Sequence, residues 1–430
     1  MKIIESAKFA VASLAKKGAA KAQCKITQSE KHELNVAAGN ISLFRTTYNT
    51  AADLLGFVDG KKGNIALNKT DPEALEQGAW AVVELAGSSK ADPANDIAGF
   101  QPPQSFAGGP LQADRDTMYA RLKEFLAYAK QTYPHTILEE INFDFTRTES
   151  LLVNSNGVEF QSNLGIYNFN ISLMTKDGAK TSSEIYMKWR GNDLNTPLQN
   201  IGGLDRLLAQ SAGQLDVKLL PEAFAGSVIM TPESLSDFIG HFTGFISNFA
   251  MISGNSVYKD KLNQIIADPR LTLRSEPLGS ILPAAYYFTD DGYQAKNSTI
   301  VTNGILTSFI LNLYAANKTG RPRSENMGGC YVIEAGDSNL DEMIASTAKG
   351  ILLGRFSGGE PGNNGDFSGV AKNSYYIEKG KIQYPITETM VSGNIVTMLK
   401  SIEQISGERN NNGYHCLPWI KFGGMTISGK

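Results

Sequence analysis

The sequence predicts an α+β fold in two domains, 1–195 and 196–430. Three observations support this. At 430 residues the chain exceeds one ordinary core. In the first half, helical patterns interrupt runs of strand-like alternation joined by short turns, unlike alternating βαβ units. From residue 271 onward the chain is mainly strand and turn, with Asp-Gly at 291–292, Asn-Gly at 303–304 and Lys-Gly at 379–380 between apolar runs.

The elements follow in order. Ile3, Ile4, Phe9, Ala10 and Leu14 recur at amphipathic spacing and predict a first helix. FAVASLA at 9–15 faintly resembles the apolar centre of a secretion signal, but Glu5 and Lys8 interrupt the approach to it. Strands are expected at 23–30, 32–37 and 41–49, and 51–58 and 64–68 extend the same meander around AAGN and DGKKG turns. Asp71 caps a helix through 86, residues 88–115 read as a surface connection, and a second long helix spans 116–132. Strands follow at 136–145, 150–154, 158–162, 167–175 and 182–190, with hairpin turns at 154–157 and 176–178 and antiparallel pairing. Thr196 and Pro197 start a helix over 197–213. A strand at 224–230 feeds a helix over 231–248. Ser338 caps another helix running to 349, and a further one spans 394–405.

Composition narrows the function classes. Apolar residues make up 42% and charged residues 19%, with a net charge of -3. No Lys/Arg run stands out, so direct nucleic-acid binding is not expected. No stretch approaches the eighteen or so apolar residues of a membrane span. Cys24, Cys330 and Cys416 are odd in number and far apart, which argues against a disulfide framework and for a reducing, cytoplasmic setting.

The helix at 231–248 is the most informative segment. Thr231 caps it and Pro232 suits its first turn. Leu235, Phe238, Ile239, Phe242, Phe245, Ile246 and Phe249 form one apolar face, while Ser234, Asp237, His241, Gly244 and Asn248 form a small polar one. A helical Gly costs about 1 kcal/mol relative to Ala, so Gly240 and Gly244 need a reason: close approach by another backbone, or a site whose chemistry was kept or lost.

Other candidate chemistry is sparse. The histidines His32, His135, His241 and His415 are scattered, with no paired spacing for a hydrolytic zinc site. His415 and Cys416 lie in a loop-like NNNGYHCLPW. The glycine-rich run at 354–369 has neither a Gly-Lys-Ser/Thr ending nor a dinucleotide fingerprint and reads as a connection between strands. Glu139 and Glu140 are strand neighbours facing opposite ways, and no G-x-S-x-G elbow occurs.

Several segments, in order, resemble the TldD/PmbA family, also called the modulator-of-DNA-gyrase family. They are VNSNGVEFQSN (153–163), FTDDGYQAKNSTIVTNGILTSFILNLYAANKTG (288–320), NMGGCYVIEAG (326–336), NLDEMIASTAKGILL (339–353), GDFSGVAKNSYYIEKGKIQYPITETMVSGN (365–394) and GGMTISG (423–429). The resemblance implies an α+β N-terminal domain, a β-rich, barrel-like C-terminal domain and dimeric assembly. It also implies a peptidase acting on short or unfolded polypeptides, in which a TldD-like subunit carries H-E-x-x-x-H and a C-terminal Cys as a zinc site. Its PmbA-like (TldE) partner lacks that motif.

On this resemblance Gly240 stands where the first His should be, His241 where the Glu base should be and Phe245 where the second His should be. A catalytic zinc needs three protein ligands and a base. The expectation is therefore a non-catalytic TldE-like subunit without zinc of its own, the metal residing only in a TldD-like partner. The partners expected are that TldD-like subunit or a second copy, and a peptide. The alternative is a homodimeric peptide-binding or regulatory scaffold acting without a peptidase. A third reading makes the chain an autonomous hydrolase using His241, His415 and Cys416. Gly244, His415 and Cys416 are the remaining cleft candidates. Gly244 is glycine in the metal-bearing relatives too, which favours close packing there.

Overall fold

The computed structural model describes residues 2–37 and 39–429. The first half contains α1 (Ile3–Lys16), β1 (Lys21–Ala37), β2 (Asn40–Val58), β3 (Lys61–Leu67), α2 (Pro72–Ser88), β4 (Gln104–Gly108), α3 (Arg115–Thr132), β5 (Thr136–Asn154), β6 (Glu159–Asp177), β7 (Lys180–Thr181) and β8 (Ile185–Gly191). These strands form one eight-stranded sheet ordered β3-β2-β1-β5-β6-β4, with β7 and β8 also pairing with β6.

The long strands differ from the short ones expected. β1 pairs with β2 from Lys21↔Phe57 to Ala37↔Asn40, and β5 with β6 from Thr136↔Thr175 to Val153↔Glu159. The breaks expected at 31, 50, 146–149 and 163–166 fall inside continuous strands. A polar residue leaves the backbone ladder intact, however, and only a turn or a proline interrupts it.

Two groups of helices pack on one face of this sheet, at different positions along its long strands. Ala7, Ala10 and Leu14 of α1 and Leu75, Ala79 and Val82 of α2 pack on Ala22, Ile26 and Leu54. Met118, Leu122 and Phe125 of α3 pack on Phe143 and Phe169. Residues 88–115 are more than a surface connection: β4 pairs in parallel with β6, and Ala98 is fully buried.

The helix expected over 197–213 is broken. Gly202 and Gly203 have φ of +52° and +76°, and α4 (Leu204–Ala212) starts only after Gly203, which takes the N-cap place expected for Thr196. Leu198, Ile201, Leu204 and Leu207 still pack into the core of the first sheet.

The second half contains β9 (Phe224–Met230), α5 (Pro232–Phe245), α6 (Asn248–Ile252), β10 (Leu273–Ser275), β11 (Ser298–Thr302), β12 (Ile305–Leu306), α7 (Leu313–Thr319), β13 (Tyr331–Ile333) and α8 (Leu340–Ala345). It continues with β14 (Lys349–Leu353), β15 (Arg355–Gly358), β16 (Asp366–Lys372), β17 (Ser374–Glu378), β18 (Lys381–Ile386), β19 (Thr389–Asn394), α9 (Ile395–Met398), β20 (Ile402–Asn411) and β21 (Cys416–Ser428). Thirteen strands make a branched sheet around β21, which pairs with β9, β13, β19 and β20. The sheet does not close into a barrel.

Pairing is mostly antiparallel, but β9/β14 and β13/β21 run parallel. Asn339, not Ser338, caps α8 through a capping box with Glu342, and α8 ends at Ala345 because β14 begins at Lys349. The helix expected over 394–405 is a single turn capped by Asn394, cut short where β20 joins β21. Among the described residues no helix is long and apolar enough to cross a membrane.

Candidate functional site

Helix α5 lies across the second sheet. The Thr231 hydroxyl accepts from the Ser234 N–H at 3.4 Å and donates to the Gly354 carbonyl at 3.1 Å, while Pro232 fills the first turn. The inner face is the apolar one. The Phe238 ring sits 5.0 Å from Phe356 and 4.9 Å from Phe367, and Phe242 and Phe245 meet Tyr258 edge-on at 5.4 and 6.2 Å.

Two side chains depart from the expected faces. Ser234 is fully buried and donates to the Leu353 carbonyl at 2.9 Å. Phe249 is 81% exposed, because the helix ends at Phe245 and the chain restarts as α6. The helix stops where the Ile246 N–H bonds to the Thr243 carbonyl and Ser247 bridges to Ile310. Those contacts turn the chain away before the expected end at 248.

The outer face carries Glu233, Asp237 and His241 at i, i+4 and i+8, one stripe of the helix. One Glu233 oxygen accepts from Arg206 at 2.6 Å and Asn410 at 2.9 Å, while the other is buried without a partner. Desolvation pushes the Asp237 carboxyl up to about 6, against the pull of Arg355. Desolvation also lowers the His241 imidazole, against the pull of Glu360. The His241 ring meets Phe238 edge-on at 6.1 Å.

Gly240 and Gly244 are exposed, and nothing lies within 4 Å of where a Cβ would stand on either. Within this chain, close packing therefore does not explain Gly244. Arg355 links the stripe to the first sheet by donating to the Glu184 carbonyl at 2.8 Å. The Glu184 side chain in turn raises the Glu139 carboxyl, second to desolvation. The glycine-rich run at 354–369 supplies Arg355 and Glu360 and forms the β15–β16 hairpin beside α5.

His415 and Cys416 have other surroundings. Cys416 opens β21 opposite Val332, and burial raises its thiol. His415 stacks on Tyr331 with centroids 5.8 Å apart, and its Nδ1 is buried without a partner. Burial pushes this imidazole down to about 4, with Arg190 adding to the shift. Arg190 of β8 donates to the Gly413 carbonyl at 2.8 Å and to the Cys330 sulfur at 3.2 Å, and lies 4.7 Å over Tyr414.

This node ties the first sheet to the second. Sequence reasoning passed over Arg190, an ordinary strand residue whose partners lie more than a hundred positions away. Among the described residues no hydrogen bond, ion pair or ring contact joins His241 to His415 or Cys416, so a shared hydrolase centre is not assembled.

The family zinc can be tested against these side chains. Gly240 offers no donor, and Phe245 offers no lone pair and is buried against Tyr258. Among the described residues no group of three or more His, Cys, Asp and Glu side chains could hold a metal ion. The donor set on α5 does not fit a resident catalytic zinc.

Comparison with known proteins agrees with the fold. Residues 225–429 match the PmbA/TldA metallopeptidase C-terminal domain. The chain is 27% identical to a zinc metalloprotease TldD homolog of Saccharolobus solfataricus over 52% of each protein, so it spans about half the length of that relative. It is 21% identical to metalloprotease PmbA of Escherichia coli O157:H7 over 99% of this chain and 97% of that protein. Among solved structures, TldE from Thermococcus kodakarensis superposes with a TM-score of 0.83 at 18% identity, covering 97% of this chain and 99% of the other. A proposed modulator of DNA gyrase from Bacteroides thetaiotaomicron superposes with a TM-score of 0.86 at 22% identity, covering 99% of both chains. With the ordered sequence segments and the matched domain, the second half of this chain carries the PmbA/TldA metallopeptidase C-terminal domain, and the chain as a whole is similar in sequence and fold to PmbA/TldD-family proteins.

Proposed function

We propose that this chain is the non-metal, TldE-like subunit of a peptidase-family complex that handles short or unfolded peptides, paired with a TldD-like subunit that supplies the zinc. One observation carries this reading. Helix α5 keeps its full inner packing without any zinc-ligating cluster beside it among the described residues, and on the resemblance Gly240, His241 and Phe245 would stand at the places of ligand, base and ligand. His241 cannot restore a zinc site alone, since Gly240 supplies no side chain and Phe245 no lone pair, and a catalytic zinc needs three protein ligands. The outer face would then form part of a shared cleft without making or breaking bonds.

Elemental analysis of the purified chain tests this. Zinc well below one atom per chain is expected, and stoichiometric zinc removed by His241→Ala would overturn the reading. Mixing with a TldD-like protein should give a complex with altered peptidase activity. No complex and unchanged activity would favour a scaffold acting without a peptidase.

A further inference from the structure

On the face of the first sheet away from α1 and α2, a cavity of about 510 Å³ lies against the second half of the chain. Opposed residues and next-but-one residues of paired strands share a face. Gln23 of β1, Leu55 and Phe57 of β2 and Lys62 of β3 therefore make one floor. Asp96 and Ile97 wall it from the segment between α2 and β4, and Asp290 and Leu313 close it from the second half. A cavity of this size where two units meet, apolar with a few polar groups, is the usual form of a small-molecule site.

Its polar groups are unevenly satisfied. Gln23 is 6% exposed, and its Nε2 donates to the Asp290 carbonyl at 2.9 Å. That bond fixes the amide orientation, since only the nitrogen can donate to a carbonyl. Oε1 is left buried without a donor. Gly292 puts no side chain over that oxygen, and a Cβ there would stand 3.0 Å from it. A buried acceptor without a partner costs stability, and a ligand N–H removes the cost. Asp96 accepts from Lys21 and from the Ile97 N–H through Oδ1, and Asp290 accepts from Lys25 through Oδ1. The second oxygen of each carboxylate is open. Lys62 and Lys90 line the cavity and are exposed, and among the described residues their ammonium groups make no ion pair or hydrogen bond.

We infer that this cavity binds a small zwitterion with an apolar side chain. The ligand ammonium meets Gln23 Oε1 and the open oxygens of Asp96 and Asp290. The ligand carboxylate lies between Lys62 and Lys90. The apolar side chain packs on Leu55, Phe57, Ile97 and Leu313. Carboxylates favour a charged donor and unpaired lysines favour an anion. The register supports the span: Gln23 and Lys62 lie two strands and two residues apart, roughly 12 Å between Cα atoms. The lysine stem closes part of that gap, which leaves room for an amino acid such as leucine or for a dipeptide of the same kind. None of the lining residues is on α5, so the inference stands apart from the peptidase reading.

Titration calorimetry of the full chain with L-leucine and with L-leucyl-L-leucine tests this. Saturable binding at millimolar concentration is expected, and the tighter ligand identifies the form the cavity takes. Leucinamide lacks the carboxylate and N-acetyl-leucine lacks the ammonium, so each should bind about tenfold more weakly than leucine. Lys62→Ala with Lys90→Ala should bind leucine no better than leucinamide, with an unchanged circular dichroism spectrum because both side chains are exposed. Gln23→Met should lose the preference for leucine over N-acetyl-leucine. If that variant unfolds, Asp96→Asn makes the same test on a partly exposed side chain. Three results would each overturn the proposal: no binding of either zwitterion, equal binding of leucine and a blocked form, or a preference for the carboxylate that survives loss of both lysines.

Discussion

Along α5 the inner face is filled by Phe238, Phe242 and Phe245, each in ring contact with an aromatic of another element, while the outer face has two glycines with no neighbour and a carboxylate and imidazole perturbed by desolvation. The node at 412–416 is different again. Its histidine is half-buried with Nδ1 out of solvent, and its backbone serves an arginine from the other sheet. These contrasts separate packing from chemistry. The inner face holds the helix in the fold, so side chains of the outer face can change without unfolding the domain. At the node, chemistry and packing are not separable, because the same side chains seal the two sheets together.

Substitutions on each region can break or sharpen this comparison. Phe238→Ala should have the largest effect, a loss of about 3–5 kcal/mol in unfolding free energy, since its ring lies between Phe356 and Phe367. Denaturant titration would show this, and a loss near zero would mean the inner face does not hold the helix.

At the node, His415 has a depressed folded-state value, so the folded protein binds fewer protons than the unfolded one between the ordinary imidazole value and about 4. Stability is therefore present above that window and lost as pH falls through it. His415→Phe should flatten the dependence of melting temperature on pH there, whereas His241→Phe, with its exposed side, should alter it less. Equal effects would erase the distinction between the two sites.

The smallest effect is on the outer face. Gly240→Ala should stabilise by about 0.5–1 kcal/mol, because the added methyl meets open space and glycine is a poor helix former. Gly244→Ala should do the same to a lesser extent, one residue from the helix end. If the isolated chain is stabilised but its complex with a TldD-like subunit is weakened, the glycines face that partner.

Much of the fold was legible because local signals were strong. Asp71 and Thr231 cap helices as expected, whereas the caps at Asp114 and Asn312 were not read and the helix after Asn312 was overlooked for its short, small-residue sequence. Strand lengths were misjudged because polar residues inside β1, β2, β5 and β6 look like loops when only the sequence is known. Helix 197–213 failed because two left-handed glycines outweighed an apolar period. On α5 the cap, the proline of the first turn and the apolar face were legible, but the fate of Ser234, Phe249 and Gly244 was not. Each depends on what another element brings beside it: Leu353 for Ser234, the bridge to Ile310 for Phe249, and empty space for Gly244.

By itself the sequence determined the α+β class and the cap, first turn and inner apolar face of the helix at 231, because capping chemistry and apolar periodicity are properties of residue type and order. Tertiary structure alone decided that His415 is sealed into a seam by Arg190, that Gly244 faces open space and that residues of both halves line one cavity. Those are relations between segments far apart in the chain, and they exist only once the two sheets have folded and met.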